Sequence, residues 1–366
     1  MGALLRSEQI DTGPARKPCA DPVRVMIVDD SLTVRTVFSR MIKQEADMRI
    51  VATANTAEGG IAELAAAKPH VMMLDLEMPG MGGLEALPKI MAAAPDTKVL
   101  VISSLTADGA EATVKALSLG AADTMLKPRP GGFNEDYKAN LLGKIRALKG
   151  IKPEDRAKVV PAKPAAARRS GKAPQVVAIG ASTGGIHALN LFLRQVPKNF
   201  DLPILITQHL PASFIPVFAK QMEMAAGREA ILADEGVEIQ RGKIYIAPGH
   251  GHMVVRRSAG RHILGLAYQP VKSGCTPSVD PMFETLAEAY DGHVAGVLLS
   301  GMGRDGTDGA QSIVSAGGSI YAQNADTCAV WGMPRAVTEL GLATAVLPPA
   351  ELADKLLAGA GAAAWQ

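Results

Sequence analysis

The chain has 366 residues, of which 48% are hydrophobic and 20% charged, and its formal net charge is +2. This composition excludes a disordered polypeptide, and the length is typical of about two domains. No apolar run approaches the roughly 18 residues that a membrane-spanning helix requires, so we expect no membrane insertion. The three cysteines, Cys19, Cys275 and Cys328, are too few and too scattered for a disulfide scaffold or a cysteine-rich zinc module. Their use fits a reducing compartment, and we expect a cytoplasmic protein.

Two segments have the composition of connecting polypeptide. Residues 1–21 lack the apolar stretch of a signal peptide, and Arg6 breaks the myristoylation pattern, so we expect a disordered leader. Residues 151–174 contain seven basic and two acidic residues and four prolines, which predicts an extended linker. A nucleic-acid-binding tail is the alternative. The segment has no aromatic residue to stack on bases, so we expect no nucleic-acid partner.

Residues 22–150 alternate short apolar segments with longer segments of helical periodicity. The predicted strands are 25–28, 50–54, 71–74, 99–103 and 124–126. The predicted helices are 33–44, 58–67, 84–94, 108–119 and 135–148. Five strands alternating with five helices predict a doubly wound parallel sheet. Pro88 lies inside the third helix, and we expect it to kink or restart that helix.

Polar side chains follow these strands where each strand ends, and in such a sheet the ends meet at one edge. The residues concerned are Asp29, Asp30, Asp75, Ser103 and Lys127. Clustered carboxylates repel one another unless a cation neutralises them, and a divalent cation with oxygen ligands is the usual solution. The edge therefore suits Mg²⁺ and phosphoryl chemistry at a carboxylate. Helix capping by Asp29 and Asp30 is the alternative, but it leaves Asp75 and Lys127 unexplained.

This domain resembles the receiver domains of bacterial response regulators, which have a flavodoxin-like fold. The resemblance is carried by Val28-Asp29-Asp30, residues 74–80, Ser103 and Lys127-Pro128. It implies that a histidine kinase phosphorylates Asp75, and that Ser103 and Lys127 contact the phosphoryl group. It also implies a Mg²⁺ site formed by Asp30, Asp75 and the carbonyl of Glu77, with Asp29 close by. Thr124 departs from the family, which usually has an aromatic residue at this switch position.

A second α/β pattern begins at residue 175, with a predicted strand at 175–179 and the sequence Gly-Ala-Ser-Thr-Gly-Gly at 180–185. The match to G-x-S-x-G between a strand and a helix predicts a nucleophile elbow that exposes Oγ of Ser182. A phosphate-binding glycine loop is the alternative. A dinucleotide site would need an acidic residue after the next strand, 203–207, which is followed by Gln208-His209 instead.

The residues after neighbouring strands can complete a hydrolase site around this serine. A serine nucleophile needs a base, and parallel strands would bring His209 to the edge that carries Ser182. The imidazole in turn needs a carboxylate to fix its tautomer. The predicted strand 294–299 ends in a glycine-rich turn that presents Asp305 and the backbone N–H of Met302, a candidate oxyanion donor. The chain order Ser, His, Asp matches none of the three common hydrolase orders.

The second half resembles the catalytic domain of the protein-glutamate methylesterases of the CheB type. The resemblance is carried by residues 180–185, 208–211, 247–249, 277–280, 301–306 and 331–334. A receiver, a linker and this domain, in that order, match the architecture of the whole family. We therefore expect two doubly wound parallel-sheet domains, a receiver at 22–150 and a Rossmann-like α/β serine hydrolase domain with a β-hairpin at 175–366. The resemblance also implies Thr183 as a second oxyanion donor.

The resemblance implies a phosphorylation-controlled hydrolase that removes methyl groups from glutamate methyl esters on methyl-accepting chemoreceptors and deamidates their glutamines. It implies Mg²⁺ in the receiver, no cofactor for catalysis, and an unphosphorylated receiver that covers the active site. The phosphodonor would be a chemotaxis histidine kinase, and we expect a monomer. The competing class is a non-enzymatic response regulator whose second domain binds a partner. The complete set of Ser182, His209 and Asp305 argues against that class.

Other residues of the second domain offer weaker alternatives. His250, His252 and His262 form a candidate metal set, but we expect them in a hairpin over 243–267 that points them to solvent or substrate. Ser278 and Asp280 form a second candidate pair of nucleophile and acid, although the flanking prolines predict a rigid loop. The family commonly has arginine where this chain has threonine at 276, which implies a different way of holding the substrate.

Overall fold

The computed structural model describes residues 21–104, 106–128, 132–149 and 171–365. The predicted leader, apart from its last residue, and most of the predicted linker lie outside these ranges. Within them, no helix combines the length and the apolar character needed to cross a membrane. The last residues of the expected linker lie against the second domain, because the backbone N–H of Lys172 donates to the Gly317 carbonyl at 2.9 Å.

The first domain contains a five-stranded parallel sheet with the order β2-β1-β3-β4-β5. Its strands are β1 (Val23–Val28), β2 (Met48–Ala54), β3 (Val71–Asp75), β4 (Lys98–Ser103) and β5 (Asp123–Leu126). Its helices are α1 (Leu32–Lys43), α2 (Ala57–Ala67), α3 (Gly83–Ala93), α4 (Ala107–Leu119) and α5 (Glu135–Leu148). The doubly wound sheet predicted for this half is confirmed. Each strand and helix begins and ends within about two residues of its predicted position.

Strand β1 shows why this sheet is covered by helices on both faces. Val25 and Ile27 pack into a buried cluster with side chains of α1 and α5. Met26 and Val28 point the other way, into a cluster with side chains of α2 and α3. Residues 25–28 of the strand are all apolar because successive side chains alternate between two buried faces.

Helix α3 runs without interruption through Pro88, so the restart expected as one possibility does not occur. Ala86, Leu87 and Ile90 are all buried on the same side of the helix. Burial on both sides of the proline favours one continuous helix over the predicted restart.

The second domain contains a seven-stranded parallel sheet with the order β14-β13-β12-β6-β7-β9-β8, and a separate two-stranded hairpin, β10-β11. The strands are β6 (Val176–Ala181), β7 (Ile204–Gln208), β8 (Ala230–Leu232), β9 (Ile244–Ile246), β10 (His252–Ser258), β11 (Arg261–Ala267), β12 (Val294–Leu298), β13 (Ser319–Gln323) and β14 (Ala343–Leu347). The helices are α6 (Gly185–Leu193), α7 (Ile215–Ala226), α8 (Val279–Ala289), α9 (Thr307–Ser315), α10 (Met333–Glu339) and α11 (Pro349–Gly359). The predicted parallel α/β domain with a hairpin is confirmed.

Two local predictions in this domain are wrong. The hairpin begins at His252 and not at 243, because residues 244–246 form β9 and pair with β7 and β8 in the main sheet. The expected rigid loop at 277–281 is shorter, because α8 begins at Val279 and contains Pro281 in its first turn. A proline there costs no helical hydrogen bond, since the first N–H groups of a helix have no partner within it.

Strand β6 lies at the centre of the second sheet, with β12 on one side and β7 on the other. All six of its residues are buried, and it packs between α8 on one face and α6 on the other. Parallel strands end on the same side of a sheet, so the turns that follow β12, β6 and β7 are neighbours. These three turns carry Asp305, Ser182 and His209.

The two domains are in contact through α4 of the first and α6 and α7 of the second. Val114 and Leu117 of α4 belong to the same buried apolar cluster as Ile186 of α6 and Phe214. Hydrogen bonds join the backbone N–H of Gly184 to the Ala122 carbonyl at 2.6 Å, and the ring of His187 to the Ser118 carbonyl at 3.0 Å. The first domain therefore lies beside the turn that carries Ser182.

Candidate active site

The turn after β6 places Ser182 at the sheet edge. The backbone N–H of Ser182 donates to the Ser300 carbonyl at 3.0 Å, and the Ser182 carbonyl accepts from the side-chain amide of Gln208 at 2.9 Å. Gly184 has a φ of 77°, and a side chain there would also come within 2.5 Å of the Ala329 Cβ. The glycine is therefore required both for the left-handed conformation and for the close packing of the turn. This geometry matches the predicted elbow.

His209 and Asp305 meet at this edge. Nε2 of His209 lies 2.7 Å from Oδ2 of Asp305, and Asp305 is buried. Ser182 Oγ makes no hydrogen bond with His209 in the described part of the chain, although catalytic hydrogen bonds are often loose in structures without substrate. The structure thus brings the three predicted residues to neighbouring turns and aligns the histidine with the carboxylate.

Asp305 is held in place by Ser278 and Val279, and the sequence did not predict either contact. Ser278 Oγ donates to Oδ1 at 2.5 Å, and the backbone N–H of Val279 donates to Oδ2 at 2.7 Å. The backbone N–H of Ser278 donates in turn to Nδ1 of His252 at 3.0 Å. Ser278 pairs with Asp305 and not with Asp280, so the alternative pair of Ser278 and Asp280 is wrong.

The pKa values of His209 and Asp305 move in opposite directions. Burial by itself lowers the pKa of His209, but hydrogen bonds to Asp305 and Cys275 outweigh burial and raise it to about 9. Burial raises the pKa of Asp305, but the hydrogen bond and positive charge of His209 outweigh burial and hold it at about 2. The carboxylate is therefore ionised at neutral pH and stabilises the protonated imidazole.

The predicted oxyanion donors lie beside the same turn. The backbone N–H of Met302 donates no hydrogen bond to any described residue, so it is available to a bound group. Thr183 is engaged differently, because its hydroxyl donates to Oδ2 of Asp123 at 2.6 Å. Asp123 belongs to the first domain, and the same oxygen also accepts from Lys144 at 2.7 Å. One of the two predicted donors is thus tied to the neighbouring domain.

A cleft of about 380 Å³ opens next to Asp305. Its lining combines charged, polar and apolar side chains, among them Lys272, Ser273, Cys275, Asp280, Met302, Arg304, Asp305 and Asp308. Burial raises the pKa of Asp280 to about 6, and the nearby charge of Asp305 adds to that rise. Lys272 pairs with Asp308 at 3.0 Å. The cleft is of a size to hold a side chain of a partner protein.

The carboxylates of the first domain also meet as predicted. Ligand oxygens of Asp29, Asp30 and Asp75 lie within 4.8 Å of one another. Lys127 Nζ is 2.5 Å from Asp75 Oδ2 and 3.6 Å from Asp29 Oδ2. Burial raises the pKa of Asp75 to about 6, although the hydrogen bond from Lys127 opposes it.

The donor set of this edge fits Mg²⁺. Oδ2 of Asp29 is buried without a hydrogen-bond partner among the described residues, and three carboxylates face one another around it. Hard oxygen ligands of this kind are what Mg²⁺ takes in proteins. The helix-cap alternative fails, because Ser31 caps α1 and Asp29 accepts from the Ser31 N–H at 2.9 Å.

Two other predicted residues of this edge lie close to it but have different contacts. Glu77 N–H donates to Oδ1 of Asp75 at 3.1 Å, and its carboxylate accepts from Ser104 Oγ at 2.5 Å. Ser103 is buried, and its hydroxyl donates to the Ser104 carbonyl at 3.3 Å and not to Asp75.

The histidines considered as a metal set do not come together. His252 is buried, and its Nε2 lies 3.1 Å from the Gln269 carbonyl, so the expectation that it faces solvent or substrate is wrong. His262 stacks on Tyr290 with ring centroids 3.7 Å apart, while His250 is exposed beside Tyr268. Hydrogen bonding and ring stacking, and not metal binding, account for these side chains.

Comparisons with known proteins agree with both halves of the chain. The family model for the response regulator receiver domain matches residues 25–132, and the model for CheB methylesterase matches residues 177–356. A protein-glutamate methylesterase/protein-glutamine glutaminase of Rhodopseudomonas palustris (strain HaA2) is 38% identical and covers 92% of this chain and 94% of its own. One from Caulobacter vibrioides is 43% identical, covering 89% and 95%.

Solved structures also resemble each half. The CheB methylesterase catalytic domain of Thermotoga maritima is 35% identical, with a TM-score of 0.49, and the match covers 50% of this chain and 98% of that one. The response regulator domain of Thermotoga maritima CheB is 36% identical, with a TM-score of 0.32, covering 36% and 99%.

The hydrogen bond from Ser278 to Asp305 predicts a positioning role for this serine. Replacing Ser278 with alanine removes a hydrogen bond to a charged group, which is worth about 1.5–3 kcal/mol. We expect Ser278→Ala to slow fluorophosphonate labelling of Ser182 by about tenfold to a hundredfold, with an unchanged apparent binding constant for the probe. Ser312→Ala, on α9, is the control and should label like the wild type. Equal labelling of both variants would show that Ser278 does not orient the carboxylate.

The raised pKa of His209 predicts an alkaline rise in reactivity. The imidazole must be neutral to act as a base, so labelling of Ser182 should increase with pH through about 9. The free energy of unfolding should change in the opposite direction. The protonated imidazole contributes its full stabilisation below pH 6.5, and this stabilisation is lost as pH rises through about 9. An imidazole titration followed by NMR gives the midpoint directly. A midpoint at or below 6.5 would contradict the pairing with Asp305.

Proposed function

Because the chain belongs to the CheB family of methylesterases, we propose that it is a phosphorylation-regulated hydrolase of glutamate methyl esters. Its substrates would be methyl-accepting chemoreceptors, and it would deamidate receptor glutamines by the same chemistry. A receiver at 22–150 would control a catalytic domain at 175–366. The observation that carries the proposal is the contact of His209 with a buried, ionised Asp305 beside the turn of Ser182.

The reaction would begin with proton transfer. Neutral His209 accepts the proton of Ser182 as Oγ attacks the ester carbonyl, and a tetrahedral oxyanion forms. Asp305 stays ionised and stabilises the imidazolium, which the pKa of about 2 supports. The N–H of Met302, which has no hydrogen-bond partner among the described residues, lies on the turn that follows β12 and is suited to hold the oxyanion. Thr183 is the second donor, once it is released from Asp123.

Three further proton transfers through His209 complete the cycle. Protonated His209 gives its proton to the leaving methoxy group, so methanol departs and an acyl-serine remains. The neutral imidazole then takes a proton from water, which attacks the acyl carbonyl. The imidazolium returns that proton to Ser182 Oγ as the bond to the acyl group breaks, which frees the glutamate carboxyl group and restores the enzyme. With a glutamine substrate the leaving group is ammonia, and the same residues serve. No cofactor enters these steps.

Regulation would start at Asp75, which we propose as the acceptor of a phosphoryl group from a histidine kinase. Asp29, Asp30, Asp75 and the carbonyl of Glu77 would hold Mg²⁺, which would neutralise phosphoryl charge during transfer. Lys127, which now binds Asp75, would contact the phosphoryl group, with Ser103 as the second contact. The arrangement of buried carboxylates around one lysine supports this assignment.

The receiver would inhibit the catalytic domain by direct docking. Asp123 accepts from Thr183, which follows Ser182 in the chain, and α4 packs on α6. Lys127 directly follows the strand β5 that begins with Asp123. A shift of Lys127 on phosphorylation would therefore move the strand that holds Thr183. Phosphorylation would bias a two-state equilibrium towards undocking, which frees the oxyanion donor and opens the cleft.

The nucleophile assignment is tested with Ser182→Ala. Loss of a member of such a triad typically costs about 10⁴ to 10⁶ in rate, and alanine fits a turn of small residues. We expect the variant to fold normally and to release methanol from methylated receptors at least about 10⁴-fold more slowly. Ser315→Ala, on the far helix α9, should act like the wild type. Activity of Ser182→Ala within tenfold of the wild type would exclude this nucleophile and leave the non-enzymatic alternative open.

The docking contact is tested with Asp123→Ala. This change removes the acceptor for Thr183 and Lys144, so the undocked state should gain about tenfold in population. We expect methanol release without phosphodonor to rise by several-fold to about tenfold, and acetyl phosphate with Mg²⁺ to add little.

Two control variants test whether this result is specific to the contact between Asp123 and Thr183. Asp96→Ala, in the exposed turn before β4, should keep the wild-type response to acetyl phosphate. Asp75→Asn should keep the basal rate and gain nothing from the phosphodonor. An unphosphorylated Asp123→Ala chain that is folded but no faster than the wild type would mean that this contact does not inhibit the enzyme.

A further inference from the structure

A thiol joins the histidine and carboxylate of the candidate active site. Ligand atoms of Cys275, His209 and Asp305 all lie within 4.8 Å of one another. Cys275 is partly exposed, lies in the segment between β11 and α8, and lines the cleft beside Asp305. Neither the proposed hydrolysis nor the proposed docking uses this thiol.

We propose that this cluster is a binding site for Zn²⁺, with Cys275 Sγ and His209 as direct ligands, and that the metal inhibits the enzyme. Thiolate sulfur and imidazole nitrogen are the ligands that Zn²⁺ prefers, at about 2.3 Å and 2.0–2.1 Å. Those bond lengths need ligand atoms somewhat closer together than 4.8 Å. Cys275 lies outside helices and strands, so a small movement of its segment would bring the sulfur into range.

Asp305 prepares the histidine for this role. It engages Nε2 of His209, which leaves Nδ1 as the nitrogen for the metal. Its oxygens also accept from Ser278 and the Val279 N–H, so the carboxylate is fixed behind the imidazole. A carboxylate behind a metal-bound histidine raises the basicity of the ring and orients it, and this arrangement is common at zinc sites.

The surrounding charges favour a cation. Asp280 and Asp305 both line the cleft, and the ammonium group of Lys272 is paired with Asp308 at 3.0 Å. Arg304 is the other cationic side chain of the lining. A bound thiolate adds one negative charge to the acids, so a divalent cation would be partly neutralised by its own ligands.

The receiver carboxylates do not compete for the same ion. Asp29, Asp30 and Asp75 offer oxygen only, which suits Mg²⁺. The active-site cluster differs from them because it also offers the sulfur of Cys275 and a ring nitrogen of His209 as ligand atoms. A thiophilic cation and Mg²⁺ would therefore partition between the two domains.

Inhibition follows from the proposed mechanism, and this half of the inference rests on the proposed function. A metal on Nδ1 occupies the lone pair with which His209 would accept the Ser182 proton. The bound ion would also narrow the cleft beside Asp305. Binding itself depends only on the side-chain cluster.

Binding is tested with Co²⁺ as a spectroscopic substitute for Zn²⁺, added to the full chain in excess Mg²⁺. Mg²⁺ occupies the receiver carboxylates, and only a thiolate ligand gives the ultraviolet sulfur-to-cobalt charge-transfer band. We expect the band in the wild type and in Cys328→Ser, its loss in Cys275→Ser, and at least about tenfold weaker Co²⁺ binding in His209→Gln. A wild type without the band, or a band that survives in Cys275→Ser, would overturn the site.

Inhibition is tested by methanol release at increasing Zn²⁺, with each variant scaled to its own metal-free rate. We expect the wild type and Cys328→Ser to be inhibited, EDTA to restore activity, and Cys275→Ser to need at least about tenfold more Zn²⁺. Equal sensitivity of Cys275→Ser would refute inhibition through this site. A chain that shows the Cys275-dependent cobalt band but never releases methanol would retain the metal site and lose the proposed function.

Discussion

The buried contact between Asp305 and His209, at 2.7 Å, is the interaction on which the candidate active site depends. A carboxylate that is 2% exposed is costly unless every oxygen is satisfied, and here Ser278 Oγ and the Val279 N–H supply the remaining donors. Those donors come from the start of α8, while the carboxylate comes from the turn after β12. The fold must therefore fix two distant segments before the imidazole can be oriented. The parallel order β12-β6-β7 then places the turn of Ser182 between the turns that carry Asp305 and His209.

The same architecture explains how a signal at Asp75 could reach Ser182 over a short route. β5 has only four residues, with Asp123 at its first position and Lys127 directly after its last. One end of this strand holds the phosphorylation edge through Lys127, and the other holds the active-site turn through Asp123 and Thr183. Asp123 is also held by an ion pair with Lys144 of α5. A rigid strand with a functional contact at each end can couple the two sites without an aromatic switch residue, which this chain lacks at Thr124.

The sequence was sufficient to predict the features of the fold and of the site that depend on local residue patterns. Segments buried on both faces, such as residues 25–28 of β1 and all of β6, are continuous apolar runs, and the residues that follow them predicted both site edges. Contacts between segments far apart in the chain were not predictable: no spacing rule links Ser278 to Asp305, Asp123 to Thr183, or Cys275 to His209. His252 was misjudged for the same reason, because its burial depends on the packing of the hairpin against the segment before α8. Pro88 does not restart its helix, because the burial of Ala86, Leu87 and Ile90 outweighs the local preference of proline.

The most direct measurement is methanol release from methylated receptors by Asp305→Asn, compared with the wild type and with Asp280→Asn. Asparagine keeps the shape of the side chain but removes the charge and favours the wrong imidazole tautomer, a change that costs about 10⁴ in turnover in an analogous triad. Asp280 lies in the same cleft, but it accepts from the Gly309 N–H and makes no hydrogen bond with His209 in the described structure. The account predicts a loss of about 10⁴ for Asp305→Asn and less than tenfold for Asp280→Asn. Near-normal turnover by Asp305→Asn would contradict it.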